Sequence, residues 1–182
     1  MLKPKRLQAL LEQSLSTTVS SALLFTASGS LLAYASKPKP TTAAAAKEAR
    51  TQAALASAIW QDYDVLGRSG VVGEVLGEQE SGSRPGSGSS GGSESNGIAG
   101  RWRSVGADEH GAGTRWVCVE AEMGTLMIVK VDVDSERNAV HEQLLVCLIG
   151  GKGAEEGILK AKADGLGRYL AEALVEPETN GP

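Results

Sequence analysis

The residues with the most chemical potential in this 182-residue chain are a glycine-rich run, an acidic triplet, two histidines and two cysteines. Gly150-Gly151-Lys152-Gly153 follows an apolar run and precedes a helical pattern, the setting in which backbone amides can cradle a phosphate. It lacks the full G-x-x-x-x-G-K-S/T pattern, so an ordinary strand-to-helix turn is the better reading. Asp132, Asp134 and Glu136 resemble the opening of a calcium loop, but Arg137 stands where the loop needs glycine and Gln143 where it needs glutamate. A solvated turn accounts for them. His110, His141, Cys118 and Cys147 have no zinc spacing, and no G-x-S-x-G run gives His141 a nucleophile to serve. Both cysteines lie in apolar runs, where a reduced thiol behaves as a small hydrophobe, and this points to a reducing compartment. The expectation is no catalytic group, no metal and no cofactor.

Composition narrows the remaining classes. The net charge is −4, with no basic surplus to suggest a nucleic-acid surface. The longest apolar region, Val19 to Ala35, is interrupted by Ser28-Gly29-Ser30 and falls short of the roughly 20 residues of a bilayer span. The opening Met1-Leu2-Lys3-Pro4-Lys5-Arg6 has neither the long apolar segment of a secretory signal nor a second-position glycine for myristoylation. No direct membrane insertion is expected, so a membrane location would come through partners.

The elements that must position any working surface are readable from periodicity. Leu7, Leu10, Leu11 and Leu15 recur at helical spacing, predicting an amphipathic helix over residues 3 to 16. Val19 to Phe25 and Leu31 to Ala35 flank a Ser-Gly turn and predict a hairpin. Pro38 and Pro40 end it, and Thr41 or Thr42 can cap a helix running to about Leu66, with Leu55, Ile59, Trp60, Tyr63 and Leu66 three and four apart. Trp116 to Ala121 and Leu126 to Val133 predict a second hairpin. Val140 to Ile149 is a further strand, nearly all apolar from Leu144 and therefore central. Ile158, Leu159, Leu166, Tyr169, Leu170 and Leu174 mark a last helix. The order is helix, two strands, helix, three strands, helix. This is an α+β arrangement, one five-stranded antiparallel sheet with helices on both faces.

Residues 67–113 interrupt this order. They hold 14 of the 23 glycines, and 13 of the 17 residues from Ser81 to Gly97 are Gly or Ser. Such a segment buries too little apolar surface to offset ordering entropy. It is expected to be a disordered insertion between 1–66 and 114–175 of a single domain, with 176–182 as a tail. Within it, Arg101-Trp102-Arg103 is a candidate docking motif. A five-stranded sheet has two edges, and Trp116-Val117-Cys118-Val119, directly after the insertion and with few charges, is the candidate edge for pairing with another chain.

Four motifs in order give this pattern a resemblance: Met1-Leu2-Lys3-Pro4-Lys5; Gly29-Ser30-Leu31-Leu32-Ala33-Tyr34; Ala56-Ser57-Ala58-Ile59-Trp60 with Tyr63-Asp64; and Leu159-Lys160-Ala161-Lys162-Ala163 leading to Tyr169-Leu170. Together with the element order they resemble the roadblock (dynein light chain) domain family, most closely the roadblock subunit of the Ragulator complex. The long insertion is a departure from the family's short connection. The resemblance implies a roadblock/profilin-like α-β-β-α-β-β-β-α fold and a non-enzymatic scaffold that forms a heterodimer with a second roadblock-domain protein. It further implies Rag-type GTPases as partners and a lipidated membrane-anchoring subunit. These would place the chain at the cytoplasmic face of the late endosome, lysosome or vacuole, in amino-acid-dependent TOR signalling. Any guanine-nucleotide exchange would belong to the assembled complex. Since third strands pair edge to edge and second helices pack together in family dimers, the resemblance puts the partner surface on Trp116, Val117, Cys118 and Val119, with Ile59 and Tyr63 beside them. A dynein-type light chain that binds the motor's intermediate chain, and a phosphate-ligand domain using Gly150 to Gly153, are the alternatives.

Overall fold

A computed structural model of the chain describes residues 4–37, 43–68, 101–107, 114–133 and 142–175. Helix α1 (Pro4–Ser14) starts at a proline, whose fixed φ suits a first turn. Its buried Leu11 and partly buried Leu7 and Leu10 face the sheet. Strands β1 (Val19–Thr26) and β2 (Leu31–Ser36) form the first hairpin, and its turn needs a left-handed residue, supplied by Gly29 at φ +88°. The Gly29 amide donates to the Thr26 carbonyl at 2.8 Å. Helix α2 (Ala43–Arg68) is pinned to this turn, because the Ser57 hydroxyl and the Gln61 amide both donate to the Ala27 carbonyl, at 2.6 and 2.7 Å. Strands β3 (Arg101–Ala107), β4 (Thr114–Ala121), β5 (Gly124–Val131) and β6 (Leu144–Gly150) follow, and helix α3 (Glu156–Val175) closes the order.

The strands lie in the order β2-β1-β6-β5-β4-β3, every neighbour antiparallel. Alternation along each strand splits the apolar residues between two layers. Leu24, Cys118, Met127, Val146 and Leu148 pack beneath α1 and α3 with Leu11, Leu159 and Leu170. Leu23, Phe25, Val117, Ile128, Leu145 and Cys147 pack beneath α2 with Ala53, Ala56 and Trp60. Strand β6 is buried along its whole length, as its unbroken apolar run predicts for a central strand.

The expected fold class therefore holds, with one addition. The sheet carries a sixth strand, β3, built from residues that sequence reasoning placed inside the insertion. Arg101-Trp102-Arg103-Ser104-Val105-Gly106-Ala107 has no alternating apolar face, and the glycines around it, Gly97, Gly100, Gly111 and Gly113, read as a continuing linker. Its extended state comes from the ladder it forms with β4. Most of 67–113, and all of 176–182, lie outside the described residues.

The turn between α1 and β1 is held by side chains. The Ser16 hydroxyl accepts from the Val19 amide at 3.2 Å and from Lys162 Nζ of α3 at 2.7 Å. Lys162 thus covers apolar surface with its stem and ties two elements with its amine. Lys162→Ala is expected to cost about 1 kcal/mol, whereas Lys162→Met, which keeps the stem, should lose only the bond. Urea denaturation midpoints of the two variants separate the contributions, and equal midpoints would mean that the stem contributes nothing.

Candidate partner-binding edge

Strand β4 positions four of the six predicted partner residues, and its pleat divides them. Val117 and Val119 turn toward α2, where Ile59 and Tyr63 pack against the same cluster. Cys118 joins the opposite core, with Trp116 partly buried against it. The structure thus brings Val117, Val119, Ile59 and Tyr63 together and places Trp116 and Cys118 on the other face. Val117 and Cys118 are fully buried and Val119 is 3% exposed.

The edge itself differs from the sequence expectation. Strand β4 is hydrogen-bonded on both sides, to β5 through Trp116↔Val129 to Ala121↔Gly124 and to β3 through Ser104↔Cys118, Val105↔Val117 and Gly106↔Trp116. Trp116 to Val119 therefore offers no open backbone, because β3 occupies that edge in cis. A charge at Val117 would enter a closed core, so its first effect is on folding rather than on pairing.

Trp116 anchors this corner. Its ring lies so close to Gly106 that any Cβ there would collide with the indole. Lys160 Nζ sits 5.6 Å from the ring centroid and is held there by Asp164 at 2.7 Å. The Thr114 hydroxyl donates to the Tyr63 carbonyl at 3.1 Å, fixing the start of β4 to the end of α2. Burial, with the Asp62 carboxylate adding to it, pushes the Tyr63 phenol up to about 12. Burial alone pushes the Cys147 thiol up to about 12, which keeps it protonated and unreactive across the physiological range.

The sequence pattern counts Leu55 in the apolar stripe of α2 and does not single out Val65, whereas the structure leaves Leu55 49% and Val65 67% exposed. Leu55, Ile59 and Tyr63 follow one another at intervals of four along one flank of that helix, a stripe that the periodicity contains but cannot assign to solvent.

The other sequence motifs fall only partly within the described residues. In the Gly150 to Gly153 turn, the Gly151 amide donates to the Thr18 carbonyl and the Ala154 amide to the Gly151 carbonyl, so both already have protein acceptors. Asp132 lies 3.7 Å from Lys130. Among the described residues no group of three His, Cys, Asp or Glu could hold a metal. Asp134, Glu136, His110 and His141 lie outside the described residues, as do the side chains of Arg101, Trp102 and Arg103. No described helix is long and apolar enough to cross a membrane.

No protein-family model matches the chain. An uncharacterised protein of Schizosaccharomyces pombe is 27% identical over 180 residues, covering 96% of each chain. Among solved structures, an MglB with tetrameric arrangement has a TM-score of 0.54 at 18% identity, covering 94% of this chain and 89% of its own. The gliding protein MglB from Thermus thermophilus has the same TM-score, identity and coverage of this chain, with 90% of its own. A roadblock/LC7 domain from Streptomyces avermitilis reaches 0.50 at 18% identity, covering 94% of this chain and 97% of its own. These likenesses establish the architecture, and the chain has the fold of the roadblock/LC7 domain proteins.

Proposed function

We propose that the chain is a non-enzymatic scaffold subunit of a Ragulator-like complex. It pairs with a second roadblock-domain protein, helps anchor Rag-type GTPases and is held at the lysosomal or vacuolar surface by a lipidated subunit, serving amino-acid-dependent TOR signalling. The observation that carries this reading is the roadblock/LC7 fold spanning nearly the whole chain, joined to motifs that fall on its separate elements. Gly29 to Tyr34 spans the turn and β2, Ala56 to Trp60 lies on α2, and Leu159 to Ala163 lies on α3. Assembly through surfaces of this fold is in keeping with a structural neighbour described by its tetrameric arrangement. The exposed Leu55 of α2, with Ile59 and Tyr63 following it on the same flank, gives this chain apolar surface to contribute. In this reading nucleotide exchange, where it occurs, belongs to the assembly.

Affinity purification of the tagged chain followed by mass spectrometry tests the proposal. A second roadblock protein together with Rag-type GTPases is expected. Recovery of a dynein intermediate chain without Rag-type GTPases would instead favour the motor light chain.

A further inference from the structure

Helix α3 buries one side against the sheet and presents the other to solvent. Leu159, Ala163, Leu166 and Leu170 enter the core, whereas on the outer side Ile158 is 41% and Tyr169 55% exposed. Exposed Ala161, Gly165, Arg168 and Glu172 share that outer side, which carries no charge before Arg168. The two lysines that flank it are directed elsewhere. Lys160 reaches Asp164 and the Trp116 ring, and Lys162 reaches Ser16. Glycine inside a helix is unfavourable, and packing does not require one at position 165, because a Cβ there would meet nothing within 4 Å.

This outer side is complementary to itself. When two copies of α3 cross antiparallel at Gly165, the missing side chains let the backbones approach. The helical repeat then brings Tyr169 of each copy level with Ala161 of the other and within a turn of its Ile158. On the other flank of the crossing, Arg168 of each copy falls within a turn of the other's Asp164, so opposite charges meet twice. Lys162 lies on the Tyr169 flank, away from Arg168. The contact is isologous and closes as a two-fold dimer. We propose that the outer side of α3 is a pairing surface for α3 of a second copy of this chain, with Tyr169 and Ile158 as its apolar anchors and Arg168 with Asp164 setting its register. Since α3 and α2 cover opposite faces of the sheet, this pairing leaves α2 and its apolar flank accessible. It goes beyond the scaffold reading and does not depend on it.

Sedimentation velocity of the full chain over a range of concentrations, with two variants, tests this. Gly165→Gln adds a side chain at the crossing while improving helix propensity, so lost association cannot be put down to lost folding. Arg168→Glu sets an acid against Asp164 of the other copy. The unaltered chain is expected to associate as concentration rises, and each variant to do so at least about tenfold more weakly. A third variant, Gly165→Cys, places an exposed thiol on the two-fold axis, whereas native Cys118 and Cys147 are fully buried. Mild oxidation should link it into dimers, and Gly151→Cys, equally open but far from the crossing, should link much more slowly.

An unaltered chain that stays monomeric at every concentration would overturn the proposal. So would a Gly165→Gln protein that associates like the unaltered chain, since pairing would then use another surface. Gly165→Cys linking no faster than Gly151→Cys would count equally against it. None of these measurements needs a GTPase or a second roadblock protein, so failure of this pairing and failure of the scaffold reading are separately visible.

Discussion

Trp60→Ala should lower the unfolding free energy by about 3–5 kcal/mol, the range for removing a large aromatic from a closed core. Trp60 is 1% exposed and belongs to the same buried cluster as Leu23, Phe25, Ile128 and Leu145. Among the described elements α2 is the helix that covers this face, and Trp60 is its largest fully buried side chain. A loss of that size removes much of the roughly 5–15 kcal/mol that holds a domain folded. Trp60→Phe should behave differently. Among the described residues the indole Nε1 has no hydrogen-bond partner, so phenylalanine sheds a buried donor that bonds to nothing and loses only part of the ring contact. A cost of about 1 kcal/mol is expected. Urea denaturation followed by circular dichroism measures both, and a Trp60→Phe protein as unstable as Trp60→Ala would show that the N–H contributes a bond.

Much of the architecture is legible from local pattern because the core elements bury either a helical stripe or a continuous apolar run. The leucines of α1, the apolar run at the end of β1 and the unbroken run of β6 each carry enough apolar area to declare their state alone. Strand β3 is different in kind. Its Gly106 and its two arginines give no apolar face, and its conformation is dictated by β4, so a reading confined to the segment sees only a linker. The same omission propagates to the site. Trp116 to Val119 reads as an edge because the strand beyond it is invisible in sequence, and the residues are strand residues as expected while their backbone is already paired. Leu55 and Val65 illustrate the converse. Helical spacing locates them on α2, but only the packing of Ala49, Ala53, Ala56 and Trp60 against the sheet shows which positions are left outside.

Gly124→Ala is the other substitution expected to have a large effect, and a graded set of glycines shows why. Gly124 opens β5 at φ +122°, a conformation L side chains rarely adopt, and a Cβ there would overlap the Gly150 carbonyl oxygen. That oxygen is backbone, at the point where β6 pairs Thr125 on one side and Val19 on the other. It cannot swing aside without loosening the central strand. Backbone strain of about 1–3 kcal/mol therefore adds to a steric displacement, and a total of about 3 kcal/mol or more is expected. Gly153 shares the left-handed backbone at φ +83°, but the space that an alanine methyl would enter holds no neighbouring atom within 4 Å, so Gly153→Ala should cost about 1 kcal/mol. Gly151 has neither constraint, and Gly151→Ala should fall within about 0.5 kcal/mol of the unaltered chain. Urea midpoints should rank the three in that order. A Gly124→Ala protein no less stable than Gly153→Ala would mean that the β5–β6 junction yields freely, and that the close approach of Gly124 to Gly150 does not hold the sheet together at this end.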